Sequence, residues 1–287
     1  MSWGVSPEFT DYSCIHSGWK FDSFCGSYEG LVCICYVDYK KDEQIVVLNR
    51  STTEFKEIHV PQKLTEDGKI RLSVFWFGYD YKIADYKLVR VVNIDRNGKE
   101  RFEAEVYALG FDCWRKIQSA FYIQSASYKF VKHQPGVLVN GALHWFVVSG
   151  VKQVKVLVSF DISSERFVEL SLPKERLTYP EETLEDAKYD KNVGELGGCL
   201  CLLFHVFGVR VDVWVMQEYG VRQSWTKTFT INGGAITKAF YLSLKWSFSN
   251  NKIILQCDDK LILYDSKNRR YRKLAVLKID TYMYGCS

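Results

Sequence analysis

Phe55-Lys-Glu-Ile58-His-Val-Pro61 recurs as Phe167-Val-Glu-Leu170-Ser-Leu-Pro173. In each copy an aliphatic run closes on an Asn or Asp six residues before the aromatic. The first run is Ile45-Val-Val-Leu-Asn49 and the second Val156-Leu-Val-Ser-Phe-Asp161. A third copy, without the proline, reads Leu261-Ile-Leu-Tyr-Asp265, then Tyr271 and Leu274. The offsets of six and three residues are the same in all three. A strand, a polar turn and a second strand that recur as a unit set the architecture before any single residue is interpreted.

Two further units fit between these copies. The landmarks Asn49, Ala108, Asp161, Met216 and Asp265 fall at intervals of 59, 53, 55 and 49 residues. The aromatic of the second unit is Trp114, and that of the fourth is Trp225, after a longer turn. Inside each unit the apolar pattern is strand-like. Runs of β-branched and aromatic residues occupy 31–37, 45–49, 74–79, 87–94, 104–109, 121–125, 143–148, 156–161, 200–207, 211–216, 242–248, 252–256 and 261–265; Gly, Asn, Asp and Ser bound many of them. The one helical candidate is 180–189, where acidic residues follow a proline.

A single open sheet of so many strands is implausible, whereas a propeller divides them into radial sheets with short edges. The expected fold is all-β, a β-propeller of four-stranded kelch-like blades, five in number. The alternative is a sixth, irregular blade built from residues 1–25 and 276–287. The expected organisation is a lead-in or partial blade over 1–23 and the propeller over 24–287.

Bulk composition narrows the function classes. Net charge is +4, from 38 basic and 34 acidic residues dispersed along the chain without a block of like charge. Nucleic-acid binding calls for a concentrated basic footprint, so no nucleic-acid partner is expected. The most apolar stretch, 196–209, is too short to span a bilayer and is followed by Arg210 and Asp212, so no membrane association is expected. The first eight residues lack the basic and apolar regions of a signal peptide. Nine cysteines, an odd number, then suit reduced thiols and a cytoplasmic or nuclear location.

Within a blade, the loops joining second to third strands share an end with the segments joining one blade to the next. Here they are 38–44, 95–101, 150–155, 208–210 and 258–260, with inter-blade segments 62–71, 174–194 and 232–238. They vary in length and polarity, and variable loops on a repeated scaffold are where binding concentrates. The candidate binding residues are Tyr39, Lys40 and Lys41 in the first loop, Arg96 in the second and Lys152 in the third. Glu181 and Glu182 join them from the acidic segment 174–190, which suits a basic partner.

The stretch Phe77-Gly-Tyr-Asp-Tyr-Lys-Ile-Ala-Asp-Tyr-Lys-Leu-Val-Arg90 resembles the hallmark of the plant F-box-associated domain. Gly26-Ser-Tyr-Glu-Gly-Leu-Val-Cys33 is similar to that family's first strand. Leu48-Asn-Arg-Ser-Thr-Thr-Glu-Phe-Lys-Glu-Ile58 is similar to its Asn-Pro-Ser/Thr turn, with Arg50 in place of the proline. Val106-Tyr-Ala-Leu before Trp114, Val139-Asn-Gly-Ala-Leu-His-Trp145, and Val211-Asp-Val-Trp-Val-Met216 before Trp225 follow in the family's order. The resemblance covers about residues 24–275. It implies a kelch-like propeller that captures clients for a Skp–cullin–F-box ubiquitin ligase. Residues 1–25 show no F-box pattern, so a Skp adaptor is expected as a partner only if an F-box is supplied upstream or by another chain. The alternative reading is a stand-alone or decoy propeller that holds clients without ligase docking.

No enzymatic activity, metal or cofactor is expected. The copper oxidases among kelch-type propellers use clustered Tyr, His and Cys ligands, a set this sequence does not display. Cys33-x-Cys35 and Cys199-x-Cys201 could be read as a split zinc site, but zinc ligands usually stand at C-x-x-C or wider spacing. Buried small side chains at equivalent repeat positions explain the pairs better. Asp80, Asp85 and Tyr86 are expected to define a turn. Trp76, Trp114, Trp145, Trp214, Trp225 and Trp246 are expected in the core. Phe55 and Phe167 are expected to be scaffold, with a loss of about 3–5 kcal/mol on truncation if their rings are buried.

Overall fold

The aliphatic runs that end on the landmarks become the third strands of five successive antiparallel sheets. The structure, a computed structural model, describes residues 4–5, 18–61, 64–65, 68–96, 99–117, 128–130, 136–149, 155–173 and 189–276. The first sheet comprises β1 (Gly4–Val5), β2 (Lys20–Tyr28), β3 (Leu31–Val37), β4 (Glu43–Asn49) and β5 (Glu54–His59), in the order β1-β5-β4-β3-β2. The second comprises β6 (Leu64–Thr65), β7 (Gly68–Asp80), β8 (Asp85–Arg96), β9 (Lys99–Ala108) and β10 (Cys113–Lys116). The third comprises β11 (Tyr128–Phe130) and β12 (Val137–Val139), both paired with β13 (Ala142–Ser149), then β14 (Lys155–Asp161) and β15 (Arg166–Leu170). The fourth is β16 (Tyr189–Leu196), β17 (Cys199–Val206), β18 (Arg210–Met216) and β19 (Trp225–Asn232). The fifth is β20 (Leu242–Ser247), β21 (Lys252–Cys257), β22 (Lys260–Asp265) and β23 (Arg270–Val276). Each sheet is a meander of four principal strands, the blade of a five-bladed β-propeller.

Residues 4–5 do not start a sixth blade. They pair with β5 at the edge of the first sheet. The first blade opens at Lys20, upstream of the expected boundary at residue 24. By contact the chain divides into two compact units, residues 1–152 with 158–168 and residues 153–157 with 169–287.

Alternation along the strands covers both faces of a blade. In β3, Cys33 and Cys35 face a core with Ile45, Val47 and Ile58, which also takes in Phe75, Phe77, Leu88 and Tyr107 of the second sheet. Val32 and Ile34 face the other way, beside Tyr36, Val46 and Leu48. In the second unit, Cys201, Val211, Val213 and Ile231 of the fourth sheet meet Leu242, Leu255, Ile262 and Tyr264 of the fifth. Cys33 and Cys201, each three residues after a turn glycine, are both fully buried in such a core. Burial pushes the Cys201 thiol well up, so it stays protonated and behaves as a small apolar side chain.

The turns after the third strands explain the repeat that the sequence displays. The Asn49 carboxamide oxygen accepts from the Ser51 N–H at 3.0 Å. The Asp161 carboxylate accepts from the Ser164 N–H at 2.6 Å, and that of Asp265 from Lys267 and Asn268 at 3.1 and 3.0 Å. A short side-chain acceptor at this place substitutes for a backbone partner and closes the turn. Where the landmark is Ala108, Asp85 reaches across from β8 and accepts from the Gly110 N–H at 2.8 Å. Where it is Met216, the thioether sulfur accepts from the Gly220 N–H at 3.0 Å. In all five turns the fourth residue after the landmark has positive φ: Thr53 58°, Asp112 55°, Glu165 54°, Gly220 82° and Arg269 54°.

Within the first unit these turns also receive lysines. The Lys56 ammonium, from β5, contacts the Leu109 carbonyl at 3.3 Å and the Asp112 carboxylate at 2.8 Å. The Lys87 ammonium, from β8, contacts the Ile162 carbonyl at 2.9 Å and the Glu165 carboxylate at 2.8 Å. The receptors are the same two repeat positions, the first and fourth residues after the landmark. Asp80 completes the second site at 2.8 Å from Lys87. Asp80 also accepts from the Ser163 hydroxyl and the Lys82 N–H. Indoles add a second repeated link: Trp114 donates to the His59 carbonyl and Trp225 to that of Ser171, both at 2.9 Å. Each acceptor lies ten residues after the landmark of the preceding blade.

Several expectations need correction. Trp246 is 61% exposed, because a register shift between Leu244 and Trp246 turns the strand before the indole. Trp114 and the rings of Phe55 and Phe167 are partly rather than fully buried. Phe167 still packs edge-on against Trp145. Fully buried Phe→Ala changes cost about 3–5 kcal/mol, so these two are expected to fall below that range. Residues 189–194 form strand β16 instead of an inter-blade segment. That strand is polar in sequence, yet Lys191 and Asn192 are buried, and a Cβ at Gly194 would lie 3.0 Å from Leu244. Its place follows from pairing with β17 rather than from its own apolarity. The segment 121–125 and the helical candidate lie outside the described residues, except Tyr189, which opens β16.

Candidate functional site

The first second-to-third-strand loop is shaped by Asp38. Its carboxylate accepts from the Asp42 N–H at 2.7 Å, and its carbonyl accepts from the Lys41 N–H at 3.0 Å. Lys41 takes positive φ, 65°, to close the loop. This leaves Tyr39, Lys40 and Lys41 exposed, with Tyr39 82% accessible and the Lys40 ammonium 5.5 Å from its ring centroid. Arg96 is the last residue of β8, paired with Lys99 beside the second such loop. Lys152, Glu181 and Glu182 lie outside the described residues.

Beside the first loop lies a cleft of about 240 Å³ lined by Trp19, Asp42, Glu43, Gln44, His59, Val60 and Pro61. It forms where β2 begins, β4 begins and β5 ends, so it stands at the loop end of the blade. Two links fix its wall: Gln44 Oε1 and His59 Nδ1 are 3.2 Å apart, and the His59 carbonyl accepts from Trp114. Beneath it Arg90, only 1% exposed, bonds the Pro61 carbonyl at 3.2 Å, Ser73 at 3.2 Å and Glu105 at 3.0 Å, with Glu43 at 3.5 Å. The guanidinium also lies over the Phe75 ring, 5.7 Å from its centroid. Buried arginine is tolerated because carboxylates and a carbonyl surround it.

The opposite end of the first two blades is aromatic. Tyr28 stacks on Tyr79 at 5.3 Å, meets Tyr86 edge-on at 6.3 Å, and is hydrogen-bonded through its hydroxyl to Tyr81. Tyr81, Ile83 and Phe111 are exposed at that end. Asp80 and Asp85 act there in turns, with Asp85 holding the Gly110 N–H. The loop of Tyr39 to Lys41 stands out in the sequence as unlike the others, whereas the cleft does not, since its lining comes from the ends of separate strands. The Tyr79-Asp-Tyr81 spacing was the visible signal for the tyrosine cluster.

Among the described residues the imidazoles do not converge. His144 is fully buried, with Nδ1 3.1 Å from the Val137 carbonyl, and burial lowers its pKa to about 4. His205 Nε2 lies 2.9 Å from the Thr237 carbonyl. Among the described residues no group of three or more His, Cys, Asp or Glu is placed to hold a metal ion.

Residues 15–285 match the F-box associated beta propeller domain. The chain belongs to that family. Among curated relatives, F-box protein CPR1 of Arabidopsis thaliana is 30% identical over 91% of this chain and 68% of its own length. F-box protein At4g22390 of the same plant is 28% identical, over 83% of this chain and 60% of its own. F-box/kelch-repeat protein At3g23880 is 27% identical, over 86% and 62%. The chain thus spans 60–68% of the length of these three relatives. For an F-box associated propeller, the two blade ends described above are the surfaces to weigh.

Proposed function

We propose that this propeller recognises client proteins for a Skp–cullin–F-box ubiquitin ligase, by binding and without covalent chemistry of its own. The observation that carries this reading is the family match over residues 15–285. The loop end of the first blade supports it: an exposed tyrosine and two lysines stand beside a structured cleft, and a few anchors of this kind supply most of the energy of an interface. Docking to the Skp adaptor falls to an F-box, supplied upstream or by another chain. A cytoplasmic or nuclear location suits this role.

Proximity labelling in the native tissue tests the reading, comparing the wild type with a Tyr39→Ala, Lys40→Ala, Lys41→Ala variant. The expected result is a set of proteins labelled by the wild type, lost with the variant, and longer-lived when the gene is silenced. Labelled proteins whose half-lives do not change would favour a decoy propeller instead. Strong direct binding of purified Skp adaptor to this chain would exclude the decoy.

A further inference from the structure

We propose that the cleft at the loop end of the first blade binds an arginine side chain of the client, an inference that rests on the client-recognition reading. The first argument is charge. Asp42 and Glu43 line the cleft, and Glu105 stands behind it. Arg90 is the only cation bonded to this group among the described residues, and it engages Glu43 and Glu105. The Asp42 carboxylate has no partner among the described residues, since Asp42 bonds Asp38 through its backbone N–H and carbonyl only. Lys40 and Lys41 do not line the cleft. Among the described residues the cleft therefore carries unbalanced negative charge, which favours a cation.

The second argument is independent of charge. Gln44 is 6% exposed and lines the cleft, yet its Nε2 has no hydrogen-bond partner. A buried amide with one unmade bond carries a penalty of about 1–3 kcal/mol, which a ligand can remove. The carboxamide can sit either way round against His59. With Oε1 toward a protonated Nδ1, Nε2 is left over. With Nε2 toward a bare Nδ1, Oε1 is left over and accepts from a donor in the cleft. A guanidinium satisfies the second arrangement and, with its remaining N–H groups, Asp42.

Shape narrows the cation to arginine. The cleft is smaller than the roughly 300–1,000 Å³ typical of drug-sized ligands, and so fits one side chain. Val60 and Pro61 offer apolar walls to a methylene stem. The half-buried Trp19 offers an indole, the strongest aromatic partner for a cation. A planar, forked and weakly hydrated guanidinium uses a carboxylate, an amide oxygen and an aromatic face together. A lysine ammonium uses them less well.

The test uses the full chain and three blocked pentapeptides, Gly-Gly-X-Gly-Gly, with X as arginine, citrulline or glutamate. Binding is followed by the indole N–H signal of Trp19, assigned with Trp19→Phe. The arginine peptide is expected to shift that signal saturably, and the citrulline and glutamate peptides to leave it in place. Asp42→Asn is expected to weaken arginine binding at least about tenfold with an unchanged melting temperature, Asp42 being exposed. Gln44→Ala is expected to weaken it less. An unmoved signal with arginine, or equal binding of citrulline, overturns the proposal. Client labelling that survives Asp42→Asn overturns it while leaving the client-recognition reading intact. Arginine binding without any client whose turnover changes removes that reading and leaves the cleft.

Discussion

Lys56 and Lys87 enter equivalent turns of successive blades and find different surroundings. Both ammonium groups are buried, and both bond a carbonyl one residue after the landmark and a carboxylate at the fourth. The Asp112 side chain facing Lys56 is 53% exposed, whereas Asp80 and Glu165 facing Lys87 are 1% and 10% exposed. Water screens the first pair and is kept from the second. The same receptor geometry thus serves as an ion pair open to water on its carboxylate side in one blade and as a buried network in the next, and the difference in energy should be large.

The most severe break is Lys87→Met. It removes the lysine that Asp80 and Glu165 share, while Glu165 keeps its contact with Arg115. Removing one partner of a buried pair costs about 3–5 kcal/mol, which urea unfolding at pH 7 reads directly. A loss under about 1 kcal/mol would show that the site is wet and erase the contrast.

Acid sharpens the comparison. Burial by itself would raise the Asp80 pKa, but hydrogen bonds from Lys87, Ser163 and the Lys82 N–H outweigh it and hold the carboxyl below its ordinary value. Asp112 is held down by Lys56 first and then by the Tyr107 hydroxyl. Both carboxylates bind protons more weakly folded than unfolded. The stability they contribute is present above the unfolded value, about pH 3.9, and is lost as pH falls through the lower folded values. Melting temperature between pH 6 and pH 3 should fall for the wild type, and Asp80→Asn should flatten that fall more than Asp112→Asn.

Gly220→Ala tests one of the turns for which no inserted lysine is described. A φ of 82° is strained for a residue with a Cβ, and the expected loss is about 1–2 kcal/mol by thermal or urea unfolding. No loss would mean that this turn accommodates a side chain at positive φ, as the turns of Asp112 and Glu165 do. The smallest effect is that of Lys56→Met. A pair with one exposed partner contributes about 0–1 kcal/mol, and 0.5 M salt should erase what there is.

The landmarks were legible because each ends a third strand, and an Asx acceptor or an apolar residue there is fixed by the turn. The aromatics six or nine residues later were legible as fourth-strand residues, though not how deeply each is buried. The latches were not legible: Lys56 and Lys87 sit on a fourth and a second strand, so no single repeat position marks them. Strand β16 was hidden by its own polarity, since Gly194 and its pairing place it rather than an apolar run. Trp246 was misread because a bulge breaks the alternation on which the reading relied. At the candidate site, Tyr39 to Lys41 were visible as an unlike loop. Trp19, Gln44 and His59 were not, because they line one cleft only once β2 to β5 are assembled into a sheet.

The two indoles that donate to the preceding blade, Trp114 and Trp225, have one further consequence. One belongs to each compact unit, and each is tied to a carbonyl that moves away when neighbouring blades part. An indole that loses such a bond and meets water changes its emission colour. Retained alone in otherwise tryptophan-free variants, the pair would act as optical sentinels, each timing the loosening of its own half of the molecule.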